Sequence, residues 1–160
     1  GDWSSDVCSS DLKIRKILVP TDFSEDAESA VNAAKGLASD VGAEIILLHA
    51  YRVDLPLATP SLGGGYALPP GFYEELRVQA VTHVEKIASE VTAAGVKTTG
   101  IAVEERAVIA ILEEAKRHSV DLIVMGTRGL TGLKHLAFGS VAERVIREAP
   151  CPVLTVKAEY

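Results

Sequence analysis

Short, nearly unbroken apolar runs alternate with longer stretches of helical periodicity along this chain, and this alternation constrains the fold most strongly. The runs at 16–20, 44–50 and 121–125 are typical of strands buried on both faces, since a half-exposed strand would alternate apolar with polar residues. Over 24–41 and 72–94, apolar residues instead recur every three or four positions, as in amphipathic helices. The pattern predicts a parallel sheet with helices packed on both of its faces.

Four further segments complete the pattern. A third strand is predicted over 96–103, and the helix that follows it stops near His118. Another helix begins at Gly139, and a fifth strand covers 152–156. The 160 residues therefore predict one α/β domain with a doubly wound sheet of five strands and four helices. In such sheets, ligands bind beyond the carboxyl ends of the strands, where the strand order reverses.

Composition excludes several classes of function. The net charge of −6 and the isoelectric point near 5.2 argue against a general nucleic-acid surface. No apolar run approaches the length of a membrane span, and the polar, acidic N-terminus does not read as a signal peptide. We therefore expect a cytoplasmic protein without a membrane partner. Cys8 and Cys151 have no metal-ligand spacing, and Cys151 is interpreted as a small buried residue.

Two segments stand apart from the predicted domain. Residues 1–12 are dominated by Ser and Asp and are interpreted as a non-native or disordered tail, which leaves 13–158 as the folded domain. Residues 52–70 are rich in Gly and Pro and predict a long loop, longer than an ordinary connection. This loop could lie over a bound ligand as a lid.

The segment after the fourth strand carries the clearest functional signal. Gly126 and Gly129 follow the apolar run, and Gly139 and Ser140 stand where the last helix begins. Glycines let the backbone approach a phosphate and adopt positive φ, while free N–H groups at a helix start attract negative charge. Ser140 can add a hydroxyl donor. The spacing matches neither Gly-x-Gly-x-x-Gly nor Gly-x4-Gly-Lys-Ser/Thr, the two common nucleotide loops.

This spacing resembles the Gly-x2-Gly-x9-Gly-Ser signature of the universal stress protein family, in its ATP-binding branch. The stretch Ile17–Ser24 is similar to the family's first strand and its Pro-Thr-Asp-x-Ser turn. Gly139–Val145 and Ala149–Val156 are similar to its last helix and last strand. The resemblance implies a Rossmann-like domain of the adenine nucleotide alpha hydrolase type, with strand order 3-2-1-4-5. In that order, the two strongest motifs meet in one crevice.

The resemblance also implies the residues that bind ATP. Asp22 would contact the adenosine moiety together with Pro20 and Thr21, and its carboxylate can accept hydrogen bonds from ribose hydroxyls or the adenine amino group. Ala50 would offer backbone hydrogen bonds to adenine, and Met125 would pack against the base. The remaining contacts, to ribose and phosphates, are expected from the glycine segment and the helix start: Gly126, Gly129, Gly139, Ser140 and the backbone of Val141.

Other interpretations are open for Asp22 and for the cations of the loop between the glycines. Asp22 or Thr21 could instead cap the first helix. Arg128, with Lys134 and His135, could balance triphosphate charge, or could be an ordinary solvated loop cation. His49 is interpreted as a core or sheet-edge histidine, because no second histidine or acid has metal-ligand spacing to it.

The expected function is that of a small ATP-binding stress protein that acts as a nucleotide-responsive homodimer, paired through its last strand at 152–156. Mg²⁺ would accompany the triphosphate, with phosphate oxygens as its main ligands. No general base with an activating partner is evident, so we expect slow ATP hydrolysis at most. The alternative is a nucleotide-independent dimeric module of the same fold. This alternative is supported by one departure from the family pattern: residues 104–107 lack the usual Gly-x-Pro turn, which borders the ligand crevice.

Overall fold

The computed structural model describes residues 12–53, 68–129 and 138–158. Strands and helices alternate along these ranges as the sequence predicts. In chain order they are β1 (Lys16–Pro20), α1 (Glu25–Val41), β2 (Glu44–Tyr51), α2 (Phe72–Ala93), β3 (Thr98–Glu104), α3 (Ala107–Arg117), β4 (Leu122–Gly126), α4 (Ser140–Glu148) and β5 (Val153–Val156).

The five strands form one parallel sheet in the order β3-β2-β1-β4-β5. This confirms the predicted fold class and strand order. The order reverses between β1 and β4, where Ile17 pairs with Leu122 and Leu18 pairs with Ile123. The chain therefore leaves β1 toward one side of the sheet and β4 toward the other, which opens a crevice between their carboxyl ends.

The first helix shows how local chemistry sets the element boundaries. Ser24 has extended backbone angles, and its hydroxyl accepts a hydrogen bond from the Ala27 N–H at 3.3 Å. It is thus the N-cap of α1, as its residue type and the acids after it predict. Gly42 ends the helix at φ +72°, a left-handed conformation that glycine adopts without strain.

Successive residues of the central strands point to opposite faces, so the core has two halves. Ile17 and Val19 pack with α1 and α2 on one face of the sheet. Leu18 and Ile123 pack with α3 and α4 on the other face. These side chains are fully buried. Burial on both faces explains why the central strands read as unbroken apolar runs.

Several predictions fall on parts of the chain that are not described: nearly all of the 1–12 tail, most of the 52–70 loop, Lys134 and His135. Among the helices within the described ranges, none is long and apolar enough to cross a bilayer.

Candidate functional site

A cavity of about 480 Å³ opens at the carboxyl ends of β1 and β4. It lies at the reversal of strand order, where doubly wound sheets bind their ligands. Eleven of its lining residues are the ones predicted from sequence to bind the nucleotide: Pro20, Thr21, Asp22, Ala50, Met125, Gly126, Arg128, Gly129, Gly139, Ser140 and Val141. The fold thus brings these eleven residues together around one space.

Six lining residues were not predicted: Ala27, Leu48, Ala107, Ile111, Thr127 and Ala142. Most are small or apolar residues that a sequence pattern assigns to the core of any such domain. Ala107 ends the 104–107 stretch and begins α3, so the departure from the family pattern reaches the lining of this cavity. Together with Met125 and Ala50, all of these residues except Thr127 contribute to a largely apolar lining.

The turn between β1 and α1 presents Asp22 to the cavity. The Asp22 Oδ1 atom accepts a hydrogen bond from the Ser24 N–H at 3.0 Å, and the Thr21 hydroxyl accepts one from the Phe23 N–H at 3.1 Å. Both side chains therefore shape the turn, while Ser24 itself caps α1. The interpretation of Asp22 or Thr21 as the helix cap is wrong.

Gly126 and Gly129 are required for close approach, while a Cβ at Gly139 would make ordinary contacts, and no signature glycine is required for positive φ. None of Gly126, Gly129 and Gly139 has a left-handed backbone, which corrects that part of the sequence argument. A Cβ at Gly126 would lie 2.8 Å from the backbone carbonyl carbon of Asp26, and a Cβ at Gly129 would lie 2.5 Å from Asp22 Oδ2. The first glycine lets α1 pack on β4, and the second leaves room for the Asp22 carboxylate.

A buried carboxylate holds the start of the glycine loop. Asp26 is 3% exposed, and its Oδ2 atom accepts hydrogen bonds from the Thr127 hydroxyl at 3.0 Å and the Arg128 N–H at 3.1 Å. The Arg128 Nε atom also donates to it at 3.4 Å. Arg128 is 9% exposed, so the solvated-cation interpretation is wrong for this residue. Its guanidinium is instead anchored to α1 beside the cavity.

The N-terminus of α4 brings backbone donors to the cavity. Gly139 is its N-cap and supplies no capping side chain, and the first intrahelical bond runs from the Glu143 N–H to the Gly139 carbonyl at 3.0 Å. The N–H groups of Ser140, Val141 and Ala142 precede that bond, and all three residues line the cavity. A helix start of this kind favours an anionic group such as a phosphate.

The described cysteine lies outside this site. Cys151 is half-buried at the entrance to β5, and burial raises the pKa of its thiol, with a further contribution from the nearby Asp121 carboxylate. A raised pKa keeps the thiol protonated near neutral pH, so Cys151 is a weak nucleophile.

A family model described as "Universal stress protein family" matches residues 13–157. The universal stress protein MJ0531 of Methanocaldococcus jannaschii is 38% identical over 143 residues, which cover 89% of this chain and 82% of that protein. YxiE of Bacillus subtilis, also a universal stress protein, is 34% identical over 146 residues, covering 89% of this chain and 98% of that protein.

Solved structures agree with this result. The structure of the hypothetical protein MJ0577 superimposes with a TM-score of 0.77 at 33% identity, covering 92% of this chain and 99% of that one. Universal stress protein UspA from Lactobacillus plantarum gives a TM-score of 0.73 at 26% identity, covering 90% and 98%. A universal stress protein solved in complex with cAMP shares the fold, with a TM-score of 0.67 at 24% identity and coverage of 92% and 99%.

Proposed function

The chain belongs to the universal stress protein family, and from that premise we propose that it binds ATP in the cavity between β1 and β4. The observation that carries the proposal is the mixed lining of this cavity, which combines apolar side chains with backbone donors. Leu48, Ile111 and Met125 offer apolar surface that suits a purine base, while the N-terminus of α4 offers backbone donors that suit phosphates. A family member of the same fold is described in complex with cAMP, which makes adenine nucleotides the first ligands to test.

Within this proposal, Asp22 binds the ribose hydroxyls or the adenine amino group, and the glycine segment admits the phosphates. Ala50 at the end of β2 contributes backbone hydrogen bonds to the base. Mg²⁺ that accompanies the triphosphate would draw its oxygens mainly from the phosphates. In the described part of the chain, no three His, Cys, Asp or Glu side chains are grouped to hold a cation by themselves.

The bound nucleotide acts in this proposal as an effector, with slow hydrolysis at most. Occupancy of the cavity would place the ligand against three elements that line it: the Thr21–Ser24 turn, the glycine loop and α4. A ligand that binds one arrangement of these elements more tightly shifts the population toward it. The cellular role that we infer is a cytoplasmic, nucleotide-responsive regulator of the stress response.

Calorimetric titration of ATP with Mg²⁺ into the full chain tests the proposal, with GTP as the comparison nucleotide. We expect a dissociation constant below about 1 mM for ATP, equivalent to more than about 4 kcal/mol of binding free energy. We also expect weaker binding of GTP. If ATP does not bind, the ATP proposal fails and the nucleotide-independent dimeric module becomes the better account of the chain.

The proposed homodimer forms through β5, an edge strand of the sheet within the described residues. The Pro152 carbonyl accepts from the Ile123 N–H at 3.0 Å and the Val156 carbonyl from the Thr127 N–H at 3.1 Å, so these positions face β4. Because backbone groups alternate along a strand, Val153 and Thr155 direct theirs away from the sheet. An open apolar edge of this kind favours pairing with the same strand of a second copy, around a two-fold axis.

Replacement of Thr155 by proline is therefore expected to weaken the dimer. The ring removes the outward N–H of β5 but leaves the positions that bond to β4 intact. Sedimentation equilibrium should show a dimer dissociation constant raised about tenfold or more, because each copy loses a hydrogen bond at the interface. The matched control is Ala102→Pro, which alters β3 at the opposite edge. Equal dimer strength in Thr155→Pro and the unaltered chain would count against pairing through β5.

A further inference from the structure

The turn that presents Asp22 contains the least favourable backbone conformation near the cavity. Phe23 has φ +65°, a left-handed angle that a bulky side chain rarely adopts. Such a conformation persists only where the surrounding structure holds it in place. The backbone of Phe23 directly joins Asp22, which lines the cavity, to Ser24, which caps α1. Whatever holds Phe23 therefore also sets the direction of the Asp22 carboxylate.

Two histidine rings enclose the Phe23 ring. His83 of α2 stacks on it with 3.8 Å between ring centroids and an interplanar angle of 13°. His49 of β2 contacts it with a centroid separation of 4.4 Å and an angle of 40°. The turn is thus held from outside the cavity by two separate elements, and neither histidine lines the cavity itself.

β2 also holds the backbone of the turn at its first residue. The Thr21 N–H donates to the Leu48 carbonyl at 2.8 Å, and the Thr21 carbonyl lies 2.9 Å from Nδ1 of His49. A carbonyl is only an acceptor, so His49 carries its proton on Nδ1 and donates it here. Both backbone groups of Thr21 are therefore fixed to consecutive residues of β2.

We infer that His49 is a positioning residue for the nucleotide site. Its Nδ1–H fixes the direction of the Thr21 carbonyl through a hydrogen bond. Together with His83, its ring confines Phe23 to the left-handed conformation. The Asp22 carboxylate therefore stays beside Gly129. The inference rests on the proposed ATP site, and it adds residues that do not touch the ligand. It also connects α2, through His83, to the ligand-binding turn.

A double-mutant cycle on the full chain tests this role, with ATP affinity measured by calorimetry. His49→Leu should weaken ATP binding about tenfold, the cost expected for losing one well-placed hydrogen bond and the direction it imposes. His49→Asn keeps a donor near the Nδ1 position and should restore most of the affinity. In a chain that already carries Asp22→Ala, His49→Leu should change the affinity by less than about twofold, since both act on the same contact.

The control is His118→Leu, a histidine that hydrogen-bonds Glu114 at the other end of the sheet. It should lower the thermal midpoint without changing ATP affinity. If His49→Leu reduces ATP affinity equally in the unaltered chain and in the Asp22→Ala chain, the inference is overturned, because additive losses would show a general effect on the fold. Unchanged ATP affinity in His49→Leu would also overturn the inference, but it would leave the ATP proposal intact. Absence of ATP binding by the unaltered chain would overturn both.

Discussion

Replacement of Asp26 by alanine is expected to lower the free energy of unfolding by about 3–5 kcal/mol, the range for removing one partner of a buried ion pair. The variant deletes the oxygen that accepts hydrogen bonds from Thr127 and from both the backbone and the guanidinium of Arg128. The Arg128 charge is buried, so the loss is not screened by water. Chemical denaturation of the variant and the unaltered chain measures the difference directly.

The matched control is Glu25→Ala, which removes an exposed acid from the same first turn of α1. Both acids interact with the dipole of the same helix, which stabilises the fold by about 0.3–1 kcal/mol per acid. The control variant loses only this dipole interaction. A comparable loss in the two variants would contradict the anchoring role of Asp26. The ATP affinity of Asp26→Ala should fall as well, because the start of the glycine loop loses its attachment to α1.

Replacement of Gly129 by valine is expected to reduce ATP affinity about a hundredfold or more, while the fold is retained. A Cβ at this position would lie 2.5 Å from Asp22 Oδ2, so the carboxylate must turn away. The branched side chain would also block the approach of a phosphate to the backbone. Since the clash involves the end of one side chain and no backbone atom, and Gly129 is exposed, the cost to stability should be small.

Gly36→Val is the control for a glycine-to-valine change as such. Gly36 is an exposed residue of α1, and a Cβ there would meet no atom within 4 Å. Calorimetry should find the ATP affinity of Gly36→Val equal to that of the unaltered chain. If Gly129→Val keeps full ATP affinity, the ligand does not contact this part of the cavity.

Much of the architecture follows from signals that are local in sequence. The predicted bounds of β1 agree with the structure, and Ser24 and Gly42 mark the two ends of α1 as their residue types predict. Each depends on the preferences of a few neighbouring residues. The strand order did not follow from periodicity; it required the resemblance to a family, because an apolar run does not reveal which strand lies beside it.

Eleven of the residues that line the cavity were named from sequence, but the contacts among the surrounding residues were not. Asp26 reads as an ordinary acid in the first turn of a helix, and Arg128 reads as an ordinary loop cation. Their contact joins positions 102 residues apart in sequence, and only the packing of α1 on β4 brings them together. The same packing explains Gly126, whose missing Cβ leaves space for the backbone of Asp26.

His49 illustrates a related limit. It lies near the carboxyl end of β2, an inner strand between β1 and β3. What the sequence does not reveal is the left-handed φ of Phe23, since phenylalanine gives no indication of that conformation. The role of His49 became evident only once Thr21, Phe23 and His83 were seen around it.

An NMR titration of the ¹⁵N-labelled chain with ATP and Mg²⁺ would locate the ligand most directly. The largest amide shift changes should fall on Asp22, on 126–129 and on 140–142, which surround one cavity from three elements. Amides of Asn32 and Lys35, in the separate groove between α1 and α2, should change little. Shift changes confined to that groove, or none at saturating ATP, would contradict nucleotide binding at the junction of β1 and β4.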